Sequence, residues 1–349
     1  MMNKKKKIFI FLGVMVIVFV IVISLLFISL QPTSKNNESV VFTIQNGESK
    51  NVILDNLKDA NLIRSKYSAL IYMYLSGKKN IQAGTYDLTR DMGSTKIIDT
   101  ITNGDIINDK RPSVKITFKE GMTIEEYMML LADNTDLEYS TIIKEINEQD
   151  FLKKLIDDYS FLTNDILDTD LYYGLEGYLF PETYYFYLDT TLEQAIRRML
   201  NETATKLNEI KKDIDASSYN IHELYTIASI VEKEVNNYED RTKVAQVIYT
   251  RLNRNMSLGM DTTTYYGAGK KMGESITANL NDVNPYNTRL VSFIGLPAGP
   301  ICNPSLDSIK ATLNPSDTNY VYFFADRDGV THFTASKDEF ENFKRIYRW

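Results

Sequence analysis

An uncharged, apolar run over residues 8–30, directly after four consecutive lysines, constrains this chain more than any other feature of its sequence. A helix rises about 1.5 Å per residue, so a run of this length spans a hydrocarbon core of about 30 Å. A cleavable signal peptide has a shorter apolar stretch that ends in small residues, whereas Leu-Leu-Phe-Ile at residues 25–28 leads directly into the polar segment. The sequence therefore predicts a retained, single-pass transmembrane helix over residues 8–30.

The lysines determine the predicted orientation of this helix. Positive charge beside a transmembrane segment favours the cytoplasmic side, so residues 1–7 are expected to form a cytoplasmic tail. Everything after residue 30 is then expected to lie outside the cell membrane. Residues 31–40 are polar and are typical of a short linker.

Composition and missing motifs exclude several classes of function. The chain carries 46 acidic against 39 basic side chains, a net charge of -7, so nucleic acid is not an expected partner. One cysteine, Cys302, forbids internal disulfides, and two histidines, His222 and His332, offer little for a metal site. No Gly-x-Ser-x-Gly, His-Glu-x-x-His or Walker motif occurs. Cys302 is expected to be a buried, inert thiol and His332 to be structural, which leaves carboxyl groups as the best catalytic candidates.

Short strand patterns and amphipathic helices follow one another irregularly after the linker. This layout predicts an α+β fold and not a regular βαβ alternation. Strands are predicted at residues 41–44, 83–86 and 114–118, and helices at 52–57, 64–76, 191–214 and 222–236. A turn-rich portion is expected after the last of these helices. We expect a small subdomain over residues 41–110 and a larger one over residues 111–349.

One predicted helix offers a specific carboxyl group. At about 100° per residue, Leu224, Ile227 and Val231 share one face of the helix over residues 222–235, and Glu234 projects from near that face. Apolar neighbours disfavour a charged carboxylate, which raises its pKa and suits it to general acid catalysis. The helical wheel alone leaves another interpretation open, in which Glu234 pairs with a cation at a domain seam or caps the helix end.

An aromatic segment gives a weaker indication of function. Residues 176–185, EGYLFPETYY, place several rings beside two carboxyl groups. Flat rings with polar tips suit the faces and hydroxyls of sugars. Core packing explains such a segment at least as often.

Several short sequence blocks follow one another along the chain: FTIQNG at 42–47 and AGTY at 83–86, then EGMT at 120–123, EGYLFP at 176–181, ASIVEKE at 228–234, PYNT at 285–288, GLP at 295–297 and NP at 303–304. In this order, and with the first two blocks in a LysM-like segment, they resemble the YceG-like family of endolytic murein transglycosylases over nearly the whole chain. Any one block could arise by chance, whereas so many in one order make the match specific.

The resemblance implies an enzyme that cuts peptidoglycan strands internally, between N-acetylmuramic acid and N-acetylglucosamine. Its catalytic glutamate is the second one of the Glu-Lys-Glu block, which is Glu234 here, with Glu232 as the fallback. Residues in motifs that resemble a cleft lining are Glu176, Asp261, Tyr286, Asn287 and Asn303. The family's usual Thr-Asp-Pro-Thr reads Met-Asp-Thr-Thr at 260–263, and Leu-Pro-Pro-Gly reads LPAG at 296–299. Losing a proline at each loop is expected to loosen the rim of the cleft.

By the family's chemistry, Glu234 would protonate the oxygen that leaves N-acetylmuramic acid and then accept the proton of that sugar's C6 hydroxyl. Attack by this hydroxyl at C1 closes a 1,6-anhydro ring, so no metal or organic cofactor is expected. An anchored enzyme of this kind would cut nascent strands and terminate their elongation, with penicillin-binding synthases as expected partners. The LysM-like segment would bind glycan or serve only as a spacer.

Two other functions remain open at this point. One keeps the substrate but uses water, as in a muramidase with Glu234 as the acid and Asp261 or Glu176 as its partner. The other is a wall-binding scaffold that recruits cell-wall synthases without cutting anything. The chemistry of the product ends separates the first from a transglycosylase, and any cleavage excludes the second.

Overall fold

The computed structural model divides the chain into two compact units, Met1–Lys110 and Arg111–Trp349. The residues that it describes are 4–35, 39–45, 47–78, 80–104 and 112–347. Parts of the predicted cytoplasmic tail and linker, and the predicted boundary near residue 110, lie outside the described residues. The fold is mixed α+β, as the sequence predicts, because helices accompany small antiparallel sheets.

The first unit combines a long helix with a small module of strands and helices. Its elements are α1 (Lys4–Ser29), β1 (Ser39–Ile44), α2 (Lys50–Asp59), α3 (Lys66–Leu75), β2 (Gly84–Thr89) and α4 (Ser94–Asn103). β1 pairs antiparallel with β2, so that Phe42 lies opposite Tyr86. α2 and α3 begin where Ser49 and Ser65 accept hydrogen bonds from free backbone N–H groups. Apolar side chains at helical spacing, Leu54 among them, fill the core of this unit.

α1 covers most of the apolar run that is predicted to be a membrane anchor. Within the part of the chain that the structure describes, no helix is both long and apolar enough to qualify as a membrane span. The transmembrane helix predicted over residues 8–30 is therefore not confirmed.

The described residues of the second unit form most of the helices of the fold, together with two more two-stranded sheets. Its elements are β3 (Ser113–Thr117), α5 (Ile124–Asn134), α6 (Tyr139–Glu145), α7 (Gln149–Asp158), β4 (Thr183–Tyr187), α8 (Leu192–Glu209), α9 (Lys211–Ala216), α10 (Ile221–Glu234), α11 (Tyr238–Asn253), α12 (Asp261–Gly267), α13 (Leu306–Leu313), β5 (Tyr322–Ala325), β6 (Thr331–Thr334) and α14 (Lys337–Tyr347). β3 pairs antiparallel with β4, and β5 pairs antiparallel with β6.

Among the residues that the structure describes, two hydrophobic cores stabilise the second unit. One lies among α5, α7 and α8 and contains Tyr127 and Tyr178. The other joins α10 and α11 to the segment before α12 and contains Val231, Ile248 and Met260. α10 packs against both α11 and α13, so it runs through the protein interior for most of its length.

Most predicted elements are confirmed, and two predictions need correction. The predicted strands correspond to β1, β2 and β3, and the predicted helix over residues 222–236 corresponds to α10. The helical pattern over residues 191–214 is two helices, because α8 ends at Glu209 and α9 begins at Lys211. The prediction of a turn-rich portion after α10 is wrong for residues 238–253, because these residues form α11. α11 begins with the polar residues YEDRTK, and its apolar face starts only at Val244, so the sequence pattern gives little indication of where this helix begins.

Candidate active site

Glu234 is the last residue of α10, and its carboxyl group meets the first turn of α12. Oγ1 of Thr262 donates a hydrogen bond of 2.8 Å to Oε1 of Glu234. α10 has a defined start because Asn220 caps it in a capping box with Glu223, and every side chain over residues 224–231 is buried. The Glu234 residue as a whole is half-buried, in contrast to residues 224–231 of the same helix.

The surroundings of Glu234 disfavour its charged form. Desolvation by the protein around it raises the pKa of Glu234 to about 7, and the charge of nearby Asp261 adds to the rise. The hydroxyl and the backbone N–H of Thr262, together with the charge of Arg251, act on this pKa in the opposite direction. A carboxyl group that titrates near neutral pH can give a proton and take one back, which an acid that later acts as a base must do.

Glu232, the fallback candidate on the same helix, is held in a different way. Its side chain is 6% exposed, and its Oε1 accepts a hydrogen bond of 3.0 Å from Nη2 of Arg241. Its Oε2 accepts three more, from the backbone N–H and hydroxyl of Ser305 and from the hydroxyl of Ser308. Both oxygens therefore join α10 to α11 and to the start of α13, which gives Glu232 a structural role.

Three consecutive buried threonines fix α12 beside Glu234. Thr262 bonds Glu234, whereas Oγ1 of Thr263 lies 2.8 Å from Oγ1 of Thr288. Thr264 donates to Oδ1 of Asn287 at 2.9 Å. Thr262 is not among the residues predicted from the sequence, where its place in the Met-Asp-Thr-Thr stretch is the only signal for it.

Asp261 is the one of the five predicted cleft-lining residues that reaches solvent. Its side chain is 54% exposed and forms an ion pair with Arg289. It precedes Thr262 at the start of α12, close enough for its charge to raise the pKa of Glu234. The remaining four, Glu176, Tyr286, Asn287 and Asn303, are at most 1% exposed.

Glu176 lies at the start of α5, where its two oxygens are 3.0 and 3.2 Å from the backbone nitrogen of Ile124. Oη of Tyr266, in α12, donates to its Oε2 at 3.0 Å. Desolvation nevertheless raises the pKa of Glu176 to about 8. Glu176 thus connects the EGYLFP segment to the same short helix that contacts Glu234.

The two asparagines use their amide groups on neighbouring protein atoms. Nδ2 of Asn287 donates to three backbone carbonyls of the loop before it, and its Oδ1 accepts from Thr264. Oδ1 of Asn303 accepts from the N–H of Leu179 at 3.0 Å, and its Nδ2 donates to the carbonyl of Met122 at 3.2 Å. Both residues order loops of the second unit, and direct contact with a substrate stays a prediction for them, as it does for Glu176 and Tyr286.

Aromatic residues form one partly accessible group and one buried group. The ring of Tyr286 packs against the rings of Tyr172 and Tyr266, each with a centroid distance of 4.8 Å. Tyr172 is 38% exposed, so a sugar can reach this cluster through its ring. In the segment over residues 176–185, by contrast, Tyr178 and Tyr184 belong to the hydrophobic core. Core packing therefore explains most of that segment.

Cys302 and His332 take the roles that the sequence predicts. Cys302 is buried, its Sγ lies 3.4 Å from the carbonyl of Ser229, and burial raises the pKa of its thiol. Nε2 of His332 lies 2.7 Å from Asp326 across the β5–β6 hairpin. Neither residue contacts Glu234, so the thiol and the imidazole are not part of the candidate site around the carboxyl group of Glu234.

Two surface cavities, of about 390 and 340 Å³, lie around Tyr219 near the start of α10. Glu234 lines neither of them. The helix has 14 residues, which separates its two ends by about 20 Å. The chemistry of Glu234, and not either of these cavities, locates the candidate active site.

A mixed α+β fold with a half-buried glutamate of raised pKa at the end of a buried helix is typical of proteins whose acid–base site depends on a carboxyl group. The model of the YceG-like family matches residues 42–345. The chain belongs to the YceG-like family, as the sequence blocks predict.

Relatives and a solved structure agree with this assignment. The chain is 32% identical over 321 residues to an endolytic murein transglycosylase of Bacillus subtilis (strain 168), across 91% of this chain and 88% of the relative. It is 29% identical over 329 residues to an endolytic murein transglycosylase of Streptococcus pneumoniae serotype 2, across 89% of this chain and 59% of the relative. A 2.6 Å crystal structure of a YceG-like protein from Listeria monocytogenes has a TM-score of 0.63 and 29% identity, across 88% of this chain and 100% of that one.

Proposed function

We propose that this chain is an endolytic lytic transglycosylase, a lyase acting on peptidoglycan, with Glu234 as its catalytic residue. The observation that carries the proposal is the environment of Glu234, a half-buried glutamate whose pKa desolvation raises to about 7. It occupies the family's Glu-Lys-Glu block, and the Bacillus and Streptococcus relatives are named endolytic murein transglycosylases.

The reaction needs one group that is first an acid and then a base. Protonated Glu234 gives its proton to the oxygen that leaves C1 of N-acetylmuramic acid. The C6 hydroxyl oxygen of the same sugar then attacks C1, and the carboxylate of Glu234 accepts the proton of this hydroxyl group. The attack closes a 1,6-anhydro ring and consumes no water. The nucleophile is tethered to the reacting centre, which favours this internal attack. A pKa near the working pH lets Glu234 perform both proton transfers.

A hydrolase is the second candidate, and the carboxyl groups around Glu234 favour it less. Hydrolytic glycosidases use a second carboxylate to activate water or to attack the sugar. Asp261 is exposed and paired with Arg289, and Glu176 is 1% exposed with its oxygens engaged by Ile124 and Tyr266. Both carboxyl groups already have protein partners, which favours a reaction that needs no second carboxylate.

The products distinguish these reactions. We expect the full chain in detergent to convert purified wall glycan into internal fragments that end in 1,6-anhydro-N-acetylmuramic acid. Mass spectrometry detects this end directly, because ring closure makes it one water lighter than a reducing end. Fragments that carry only reducing ends would replace the transglycosylase with a muramidase. A chain that cuts no glycan would leave the scaffold as the better function.

We further propose that the enzyme acts at the outer face of the cell membrane, where residues 8–30 anchor it and nascent glycan leaves the penicillin-binding synthases. The proposal rests on the lysine-flanked apolar run. In fractionated cells, the full chain should remain in the membrane pellet after an alkaline carbonate wash, whereas a chain that lacks residues 1–30 should not. Cross-linking before lysis should recover synthases with the full chain only. Release of the full chain by carbonate would contradict the anchor.

A further inference from the structure

The hydroxyl group of Thr262 is committed to the candidate catalytic carboxyl group. Thr262 is 4% exposed, and its Oγ1 donates to Oε1 of Glu234 at 2.8 Å. Its backbone N–H acts on the same carboxylate. From the first turn of a neighbouring helix, one residue thus gives Glu234 a hydrogen bond from its hydroxyl group and places its backbone N–H near enough to act on the pKa of Glu234.

The position of this hydroxyl group is set by the structure around it. Thr263 and Thr264, the next two residues of α12, are tied to Thr288 and Asn287 respectively. A threonine side chain is also stiff at χ1 because it is branched at Cβ. Thr262 therefore holds its hydroxyl group in a fixed direction and does not merely sample contact with Glu234.

We propose that Thr262 is a positioning residue, which holds one oxygen of Glu234 so that the other is presented to the glycosidic oxygen. This inference rests on the proposed role of Glu234 in transglycosylation. Because a hydroxyl donor stabilises the ionised carboxylate, Thr262 also opposes the effects of burial and of Asp261 on the pKa of Glu234. Arg251, from α11, acts in the same direction as Thr262.

This arrangement departs from the family's usual Thr-Asp-Pro-Thr stretch, in which proline stands at the place of Thr262. Proline has neither a hydroxyl group nor a backbone N–H. A proline at this position would therefore provide neither the hydroxyl group nor the N–H that Thr262 provides. We expect the chain to tune its catalytic acid through Thr262 in a way that a proline at this position does not allow.

The test is an NMR titration of Glu234 in the full chain, in detergent, with carbon-13 at the glutamate side-chain carboxyl groups. Loss of one signal in Glu234→Gln identifies the resonance. Thr262→Val keeps the shape of the side chain and removes the hydroxyl group, so the titration midpoint of Glu234 should rise by about one pH unit. In Thr262→Ser the midpoint of Glu234 should equal that of the wild type. In Thr262→Pro, which removes the hydroxyl group and the backbone N–H, the midpoint should rise further.

A second readout separates positioning from packing. Activity requires the protonated acid, so the decline of kcat on the alkaline side should move to higher pH in Thr262→Val. Its maximal kcat should fall about tenfold or more because the carboxyl group loses its orientation, with KM little changed. Thr205→Val is the matched control, since Thr205 donates to a backbone carbonyl within α8. Thr262→Ala, which adds no bulk, replaces the valine variant if that one does not fold.

A midpoint in Thr262→Val and Thr262→Ala equal to that of the wild type would overturn the proposal, as would an equal shift in Thr205→Val. The titration does not depend on activity, so it also separates this inference from the proposed function. If Glu234→Gln still cleaved glycan while Thr262→Val shifted the titration, the catalytic role of Glu234 would fail and the contact would be electrostatic only.

Discussion

Glu234→Gln should abolish glycan cleavage while leaving the protein folded. Glutamine has nearly the same shape and can still accept the hydrogen bond from Thr262, but its amide cannot supply an acid proton. General acid catalysis contributes about 10²–10⁴-fold to a rate, and here the same group also serves as the base, so we expect a loss of at least about 10³-fold. The measurement is the amount of 1,6-anhydro ends formed over time.

Stability provides an independent signature for the same variant. The pKa of Glu234 is raised to about 7 in the folded protein, so the folded state binds this proton more tightly than the unfolded chain does. The stability that comes with the proton is present below the ordinary glutamate pKa and is lost as pH rises through about 7. Glu234→Gln lacks this dependence, so its melting temperature relative to the wild type should rise between pH 5 and pH 8.

Glu223→Gln is the matched control, because it makes the same change at the other end of the same helix. Glu223 closes the capping box of α10, and glutamine can also serve in that motif. This variant should keep its activity and its stability. Unimpaired cleavage by Glu234→Gln would remove Glu234 from the mechanism, whatever its pKa.

The sequence predicts the position of Glu234 well because that prediction depends on local geometry. Helical periodicity locates α10 to within two residues, and the apolar face places Glu234 beside the core. The wheel does not show that residues 224–231 are buried on all sides, since burial comes from α11 and α13. α11 itself is hard to predict, because its charged first turns carry little apolar signal.

Contacts between distant segments could not be derived from the sequence. Thr262 is 28 residues from Glu234, and no local rule pairs a threonine with that carboxyl group. Asn287 and Asn303 lie in motifs that suggest substrate contact, yet their amide groups are used by backbone atoms. A polar residue that orders a loop and one that binds a sugar have the same sequence signature, and only the pairing of their atoms separates them.

Glu232→Gln should have the opposite effect to Glu234→Gln, with stability lost and activity kept in the molecules that remain folded. Glu232 and Arg241 form a pair with side chains 6% and 9% exposed, and breaking such a buried pair from one side costs about 3–5 kcal/mol. Glutamine offers one acceptor oxygen where the carboxylate of Glu232 accepts four hydrogen bonds. The melting temperature should fall by about 10 °C or more.

Glu239→Gln is the control for this stability change, because it breaks an ion pair with Lys243 in which Glu239 is 81% exposed. Such a pair is worth less than about 1 kcal/mol, so this variant should melt close to the wild type. Cleavage by Glu232→Gln, normalised to the folded fraction at a temperature below its transition, should stay within a few-fold of the wild type. If Glu232→Gln proved as stable as the wild type but inactive, Glu232 would be the acid. The contrast between two glutamates on one helix would then be reversed, since Glu234 would be left with no function but its contact to Thr262.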